Sequence, residues 1–233
     1  MAGRQTITSL QSGIYLFPEF MPDALCCFST RAFEASKDIP IFLNSIGAPG
    51  NQFATVEQIH GDQVVEITKE NLGLPQEADG LVTDEKDLAL VIRTADCLSV
   101  FIFDPDRPAI GLCHAGWRGA KKGIVFRTLE TMGRFFESKP RFLKAGLGPA
   151  ICPECYEVGE EFKSYFPGFV QTGGAKQFFD LRGAVKKQLV EAGVRHENIL
   201  DSLLCTSCSV DQFYSARKEG IQTGRLISAA VLK

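Results

Sequence analysis

The sequence lacks features that mark several common protein classes. Its 25 Lys and Arg are outnumbered by 28 Asp and Glu, which gives a formal net charge of −3. A nucleic-acid-binding protein usually carries a basic excess, so we expect no nucleic-acid partner. The longest uncharged apolar runs, 88–92 and 98–103, are too short to cross a membrane. The first ten residues lack the apolar core of a signal peptide, and we therefore expect a cytoplasmic protein without a membrane partner.

Cysteine and histidine are also scarce. Eight cysteines in 233 residues fall below the density of a disulfide scaffold. In a reducing compartment they are expected to be thiols, metal ligands or catalytic groups. The three histidines are His60, His114 and His196, and His196 lies in a polar segment typical of a solvated surface.

The pattern of apolar residues predicts a layered domain of strands and helices. Apolar, β-rich runs at 88–94, 98–103 and 109–113 predict strands buried on both faces. Helical spacing predicts helices at 117–136, 158–166 and 181–192, the last with Asp180 as N-cap, and the tail at 226–232 returns to strand. With no repeat or linker, we predict one domain over 1–233 of the α/β or layered α+β class, a mixed β-sheet covered by helices.

One predicted hairpin brings candidate ligands together. Cys97 begins one strand and His114 ends the next, and the turn chemistry of 104–106 pairs Cys97 near Ala115. His60 precedes Gly61 at another turn. Two imidazoles and one thiolate with an open fourth position form a chemically sensible catalytic zinc set. The alternatives are a hydrogen-bonded strand-end histidine and a buried cysteine that acts as a small hydrophobe.

The segment after His114 predicts an anion site. A glycine-rich turn opens the predicted helix, so its free N–H groups and Arg118 suit a phosphate. Trp117, the only tryptophan, either stacks on a base or packs in the core.

The other cysteines are more simply interpreted as ordinary thiols or core residues. Cys152/Cys155 and Cys205/Cys208 form two C-x-x-C pairs, separated by a gap much longer than that of a zinc ribbon. A four-thiolate structural metal site is one reading, and ordinary thiols are favoured over it. Cys26, Cys27 and Cys113 lie in apolar runs and are predicted to be core.

Motifs along nearly the whole chain resemble those of one family. They are Q-I-H-G-D-Q-V at 58–64, A-D-G-L-V-T at 78–83, T-A-D-C-L-S-V at 94–100, G-L-C-H-A-G-W-R-G at 111–119, G-L-G-P-A-I at 146–151, C-Y-E-V-G at 155–159, C-T-S-C at 205–208 and T-G-R at 223–225. The chain is thereby identified as a member of the YfiH/YlmD family, once described as laccase-like multicopper polyphenol oxidases. The sequence departs from the family pattern directly after S-T-R at 29–31 and within F-Y-S-A-R-K at 213–218.

The resemblance implies a three-layer fold related to a bacterial toxin with a Cys–His hydrolase site. It implies zinc on His60, Cys97 and His114, with purine nucleosides and phosphate as small-molecule partners. The implied reactions are phosphorolysis of adenosine, inosine, guanosine and S-methyl-5′-thioadenosine, and deamination of adenosine. We ourselves predict that Arg118, Arg31 and Trp117 contact substrate or phosphate and that Cys97 and His114 are catalytic groups.

Zinc deaminases also need a carboxylate proton shuttle. Asp62 and Asp96 lie nearest the ligands in sequence, although each would equally serve to orient a ligand. Three alternatives stay open: a metal-free hydrolase with Cys97 as nucleophile and His114 as base, a copper-dependent polyphenol oxidase, and a non-catalytic binding protein. Ligand type leaves copper as a second choice, but three histidines are too few for a multicopper oxidase.

Overall fold

The computed structural model of the protein describes residues 7–11 and 13–233. Residues 1–6, part of the segment predicted to lack a signal-peptide core, lie outside the described residues. The strands are β1 (Thr8–Gln11), β2 (Ile14–Leu16), β3 (Ala24–Ser29), β4 (Phe53–Ala54), β5 (Val64–Glu66), β6 (Gly80–Thr83), β7 (Ala89–Thr94), β8 (Leu98–Asp104), β9 (Ala109–Ala115), β10 (Lys144–Leu147), β11 (Glu157–Val158), β12 (Val170–Gly173), β13 (Lys176–Phe179), β14 (Ile199–Asp201) and β15 (Leu226–Leu232). The α-helices are α1 (Ile39–Ser45), α2 (Trp117–Lys122), α3 (Ile124–Phe136), α4 (Phe162–Tyr165), α5 (Leu181–Glu191) and α6 (Ala216–Glu219).

Two six-stranded sheets form the centre of the molecule. Sheet I has the strand order β1-β2-β3-β15-β7-β4, and sheet II has the order β14-β10-β8-β9-β6-β5. Each sheet is mixed, because β4–β7, β10–β14 and β5–β6 are parallel pairs while the other neighbours are antiparallel. A small third sheet has the order β11-β13-β12.

Alternation along the strands divides the core into layers. In β8, Phe101 and Phe103 join the cluster between the two sheets, whereas Val100 and Ile102 face the helical side. This is the period of two that a strand imposes on its side chains. Leu129 of α3 and Val185 of α5 belong to the same helical-side cluster as Val100, and α1 covers the outer face of sheet I. The layers are therefore one helix, two sheets and a second group of helices, one layer more than the three that the resemblance implies. The layered α+β fold class is confirmed.

The predicted helix at 117–136 is two helices. Gly123 has φ of +87°, a left-handed conformation that ends α2 and begins α3. The helix predicted at 158–166 was also too long: β11 occupies its start, and only Phe162–Tyr165 is helical. The helix at 181–192 is confirmed as α5, and the Asp180 side chain accepts a hydrogen bond from the Gly183 N–H. The single domain over 1–233 stays a prediction.

Within the described part of the chain, no helix has both the length and the apolar character required to cross a membrane. The core placement of Cys26, Cys27 and Cys113 is confirmed, since each is at most 1% exposed.

Candidate metal and active site

The β8–β9 hairpin places Cys97 beside His114. Leu98 pairs with Ala115 and Asp104 with Ala109, so the pairing differs by one residue from the predicted register. Cys97 lies just before the first pair of the ladder, and His114 lies near the end of β9 on the neighbouring strand. The tight 104–106 turn, where two backbone N–H groups donate to the Asp104 carboxylate, sets this register.

His60 completes a group of three ligand atoms. One nitrogen of each imidazole and the Cys97 Sγ all lie within 4.8 Å of one another. The His60 and His114 rings are 4.8 Å apart between centroids and nearly perpendicular, at 86°. His60 has φ of +56°, so the backbone turns sharply just where its side chain meets the hairpin. The donor set and spacing are those of a site that could hold one metal ion and leave a position open.

A glycine keeps the group accessible. A Cβ added to Gly116 would lie 3.0 Å from the Cys97 Sγ and 3.3 Å from the His60 Cδ2. The missing side chain at Gly116 therefore leaves room that the three ligands and an ion need.

Asp79, a residue that the sequence argument missed, orients two of the three ligands. Its Oδ1 lies 2.7 Å from the His114 Nδ1 and also accepts a hydrogen bond from the His60 N–H. Its Oδ2 accepts from the Gly61 N–H at 2.5 Å. With Nδ1 directed at this carboxylate, Nε2 is the His114 nitrogen left for a metal. The motif A-D-G at 78–80 contained the available signal, a carboxylate directly before a buried strand.

Charges within the group favour the ligand form of the thiol. Burial raises the pKa of Cys97, but the neighbouring His114 charge and hydrogen bonds outweigh it and lower the pKa to about 6. Burial opposes protonation of His114, while Cys97 and Asp79 raise the pKa of the imidazole to about 9. Burial also disfavours the Asp79 carboxylate, yet its hydrogen bonds from His114 and Gly61 bring its pKa below the ordinary value. Without a metal, the structure thus favours a thiolate–imidazolium pair.

The three ligands lie on the wall of an open cavity of about 560 Å³. This volume lies within the range typical of small-molecule sites. The polar and aromatic side chains on the remaining wall are Gln58, Arg93, Thr94, Asp96, Trp117, Arg118, Tyr156, Arg217 and Arg225. Four guanidinium groups together create a strongly positive surface, which favours an anionic or phosphate-bearing ligand. Arg93, Arg217, Arg225 and Tyr156 were not among the predicted site residues.

Arg118 is the guanidinium best placed for an anion. It lies 4.5 Å above the Trp117 ring, and no hydrogen-bond acceptor for its guanidinium is found among the residues that the structure describes. Arg217 instead donates to the Glu157 carbonyl at 2.8 Å, and Arg225 to the Ile221 carbonyl at 2.9 Å. The helix α2 that begins at Trp117 has six residues, and the anion site predicted at its N-terminus stays a prediction.

Two of the predicted site residues lie elsewhere. Asp62 pairs with Arg127 at 3.6 Å, beside α3. Arg31 pairs with Glu219 at 2.6 Å and donates to the Val210 carbonyl. Neither side chain lines the cavity, and their own charged partners occupy them.

Asp96 does line the cavity, and its carboxylate is held in place. Oδ1 accepts from the Thr206 hydroxyl at 2.6 Å and Oδ2 from the Arg217 N–H at 2.7 Å. Each oxygen keeps a second lone pair for a ligand. Among the described residues on the wall, Asp96 is the sole acid.

The two C-x-x-C pairs, which the sequence leaves far apart, meet in space. The four Sγ atoms of Cys152, Cys155, Cys205 and Cys208 all lie within 4.8 Å of one another. His196 is exposed at the start of a short 3-10 helix.

Comparison with known families identifies the class of protein. The family described as multi-copper polyphenol oxidoreductase laccase matches residues 34–233, and the chain belongs to this family. The YfiH/YlmD resemblance is thereby confirmed.

Particular relatives carry other names. A purine nucleoside phosphorylase of Deinococcus radiodurans is 36% identical over 188 residues, covering 78% of this chain and 71% of that protein. Adenosine deaminase RL5, from an unknown prokaryotic organism, is 35% identical over 164 residues, covering 66% of this chain and 62% of that protein. The crystal structures of YfiH from Bacillus licheniformis and YlmD from Geobacillus stearothermophilus each match with a TM-score of 0.92 at 24% identity. Each match covers 99% of this chain and 100% of the other.

Proposed function

We propose that this protein is a zinc-dependent purine nucleoside enzyme. It would phosphorolyse adenosine, inosine, guanosine and S-methyl-5′-thioadenosine to the free base and (methylthio)ribose 1-phosphate. It would also deaminate adenosine to inosine. One observation carries the proposal: His60, Cys97 and His114 meet on the wall of a cavity that also presents aromatic rings and guanidinium groups. The names of the Deinococcus phosphorylase and of the deaminase RL5 support the same chemistry.

The cavity has one surface suited to a purine nucleoside and another suited to phosphate. Trp117 and Tyr156 are half-buried aromatic rings on its wall, with the guanidinium groups of Arg118 and Arg217 over them. A purine would lie against these rings and guanidinium groups. Arg118, with its free N–H donors, would bind phosphate oxygens in the fork geometry of a guanidinium. In phosphorolysis the glycosidic bond breaks, a bond forms between the ribose C1′ and an oxygen of hydrogen phosphate, and the base leaves with the proton that the phosphate gives up. Positioning phosphate beside the ribose is therefore the main task of the arginines.

Two carboxylates would have different tasks: Asp79 positions the ligands and Asp96 transfers a proton. Asp79 is a positioning residue, because it fixes the tautomer of His114 and the backbone at His60. Asp96 is the wall carboxylate that would relay a proton to the amine leaving adenine. Zinc on the three ligands would supply a Lewis-acid charge and lower the pKa of water for attack on the purine.

The proposal is tested by following products with and without phosphate. Purified protein is incubated with adenosine, and adenine, inosine and ribose 1-phosphate are separated chromatographically. With phosphate we expect ribose 1-phosphate in an amount equal to adenine plus hypoxanthine, because inosine formed by deamination is itself phosphorolysed. Without phosphate we expect inosine and no ribose 1-phosphate. A strong chelator should abolish both reactions, and added zinc should restore them. Unchanged adenosine under all conditions, with zinc bound and the chain folded, would refute the proposal.

A metal-free cysteine hydrolase is the second candidate. It is supported by the low pKa of Cys97, about 6, beside a His114 whose pKa is about 9, since this pair resembles an activated nucleophile and its base. In that case chelation would leave activity unchanged and alkylation of Cys97 would abolish it. If Cys97 instead binds zinc, chelation would abolish activity. Alkylation of Cys97 would then occur only after the metal has been removed, because the metal shields a ligated thiolate.

A further inference from the structure

Two loops at one edge of sheet II lie side by side for a topological reason. Strands β10 and β14 are parallel neighbours, with Leu147 opposite Asp201. The loops that follow them leave from the same edge, and a bridge between Ala150 and Cys205 continues the pairing beyond the strands. The backbone hydrogen bonds Ala150 N–H to Leu204 O and Thr206 N–H to Ala150 O, each 3.2 Å, hold this register.

A tight turn separates the cysteines within each loop. Cys155 lies one turn after Cys152 in the 3-10 helix Pro153–Cys155, and its N–H donates to the Cys152 carbonyl at 3.1 Å. In the other loop the Ser209 N–H donates to the Cys205 carbonyl across the turn that contains Cys208. Two such turns brought together present four sulfurs to one point, which is how paired C-x-x-C segments enclose zinc.

The sulfur distances fit one ion. Cys208 Sγ lies 3.8 Å from Cys152 Sγ and 3.5 Å from Cys155 Sγ. Tetrahedral zinc with bonds of about 2.3 Å separates its thiolates by about 3.8 Å. A disulfide needs a contact of about 2.05 Å, much shorter than either distance. Thiolates around an iron–sulfur cluster stand further apart, because iron and sulfide atoms fill the space between them.

The backbone around Cys205 favours its thiolate form. The N–H groups of Cys152 and Cys208 both point at the Cys205 Sγ, at 3.2 and 3.3 Å. Two donors on one sulfur stabilise its negative charge, as supporting hydrogen bonds do in metal sites. We propose that Cys152, Cys155, Cys205 and Cys208 form a second, closed zinc site that joins two loops of the cavity wall. Binding releases the remaining thiol protons to solvent and involves no redox change.

The joined loops carry residues of the first site. Ile151 and Tyr156 on one loop line the cavity, and Thr206 on the other donates to Asp96. The base of both loops is anchored separately by Arg182 of α5, which donates to the Gly148 and Leu204 carbonyls. Loss of the second zinc should therefore loosen the loop tips without unfolding the chain.

Elemental analysis of protein purified without added metal tests the proposal directly. We expect two zinc ions per chain in the wild type, one in Cys208→Ala and one in His60→Ala. Ser209→Ala, which changes the residue after Cys208 without touching a sulfur, should keep two. The stoichiometry requires no substrate, so a failure of this proposal leaves the nucleoside activity standing, and the reverse also holds.

Two further readouts do not depend on zinc stoichiometry alone. Cobalt exchanged into the wild type and into His60→Ala should give the intense sulfur-to-metal charge-transfer bands of a tetrathiolate site. Hydrogen exchange at 151–158 and 205–217 should accelerate in Cys208→Ala, while exchange in β8 and β9 stays unchanged. The proposal would be overturned by one zinc per chain in the wild type and none in His60→Ala, together with the lower peptide mass that shows a disulfide at these cysteines. Iron bound by the four thiolates would also overturn it.

Discussion

The Asp79 carboxylate lies 2.7 Å from the Nδ1 of His114, and it accepts hydrogen bonds from the N–H groups of His60 and Gly61 as well. One buried side chain thus fixes the ring of one candidate ligand and the backbone of another. Because the strand register brings Asp79 to His114 from 35 positions away, the site is assembled only when β6 and β9 have paired.

Replacing Asp79 with Asn should weaken zinc binding at the first site by about 10–100-fold, the usual effect of losing a carboxylate partner of a ligating histidine. Asn keeps the shape but removes the charge that stabilises the imidazole orientation. Competition with a chromophoric chelator measures the change. Asp62→Asn is the matched control, since Asp62 pairs with Arg127 outside the cavity. Equal zinc affinities in the two variants would contradict the assigned role.

Gly116→Ala should reduce zinc affinity about tenfold or more, because its Cβ would lie 3.0 Å from the Cys97 Sγ and displace a ligand. Gly133→Ala in α3 is the control: its Cβ would meet the Ser138 carbonyl oxygen at an ordinary 3.5 Å. That variant should keep its zinc and gain up to about 1 kcal/mol of stability from helix propensity. Zinc content and thermal unfolding of both variants provide the comparison. Full zinc binding by Gly116→Ala would show that the space is not needed.

Alkylation of Cys97 in metal-stripped protein should depend on pH with a midpoint near 6. Its folded pKa of about 6 lies below the ordinary 9.0, so the thiolate is present above pH 6 and is lost as the pH falls through that value. Iodoacetamide labelling followed by peptide mass spectrometry separates Cys97 from the other thiols. In His114→Asn the midpoint should move up toward 9, because the neighbouring positive charge is gone. A midpoint near 9 in the unmutated chain would contradict the pairing.

Arg118→Ala should raise the KM for phosphate about 10–100-fold, the effect expected on losing a charge-assisted hydrogen bond of about 1.5–3 kcal/mol. The KM for adenosine in deamination should change much less. Steady-state kinetics with phosphate and adenosine varied separately give both constants. His196→Ala, which changes an exposed residue in the 3-10 helix His196–Asn198, is the control and should behave as wild type. Equal rises in both constants would assign Arg118 to nucleoside positioning instead.

Local patterns predicted the parts of the site that a single hairpin determines. The turn at 104–106 was sufficient to bring Cys97 and His114 together, because hairpin pairing follows by counting from the turn. Asp180 likewise predicted the start of α5, because aspartate is a preferred N-cap residue.

Contacts between distant strands could not be predicted in this manner. The Asp79–His114 pair depends on β6 lying beside β9, and no local pattern specifies which strands are neighbours. The four cysteines meet because β10 and β14 are parallel neighbours. Arg217 and Arg225 line the cavity although they are distant in sequence from its metal ligands, and no sequence pattern indicates that they lie there. The left-handed Gly123 was overlooked because isolated glycines are often tolerated within helices.

Strand β15 has a position in sheet I that affects how the protein is made. Its residues Leu226–Leu232 lie between β3 and β7, pairing antiparallel with both. During synthesis these two strands leave the ribosome long before the strand that joins them. Until Leu232 has emerged, β3 and β7 expose unpaired edges, which are aggregation-prone and open to chaperones. Sheet I is therefore completed only after β15 has emerged, and a chain truncated before Leu226 would lose the link between the two halves of the sheet.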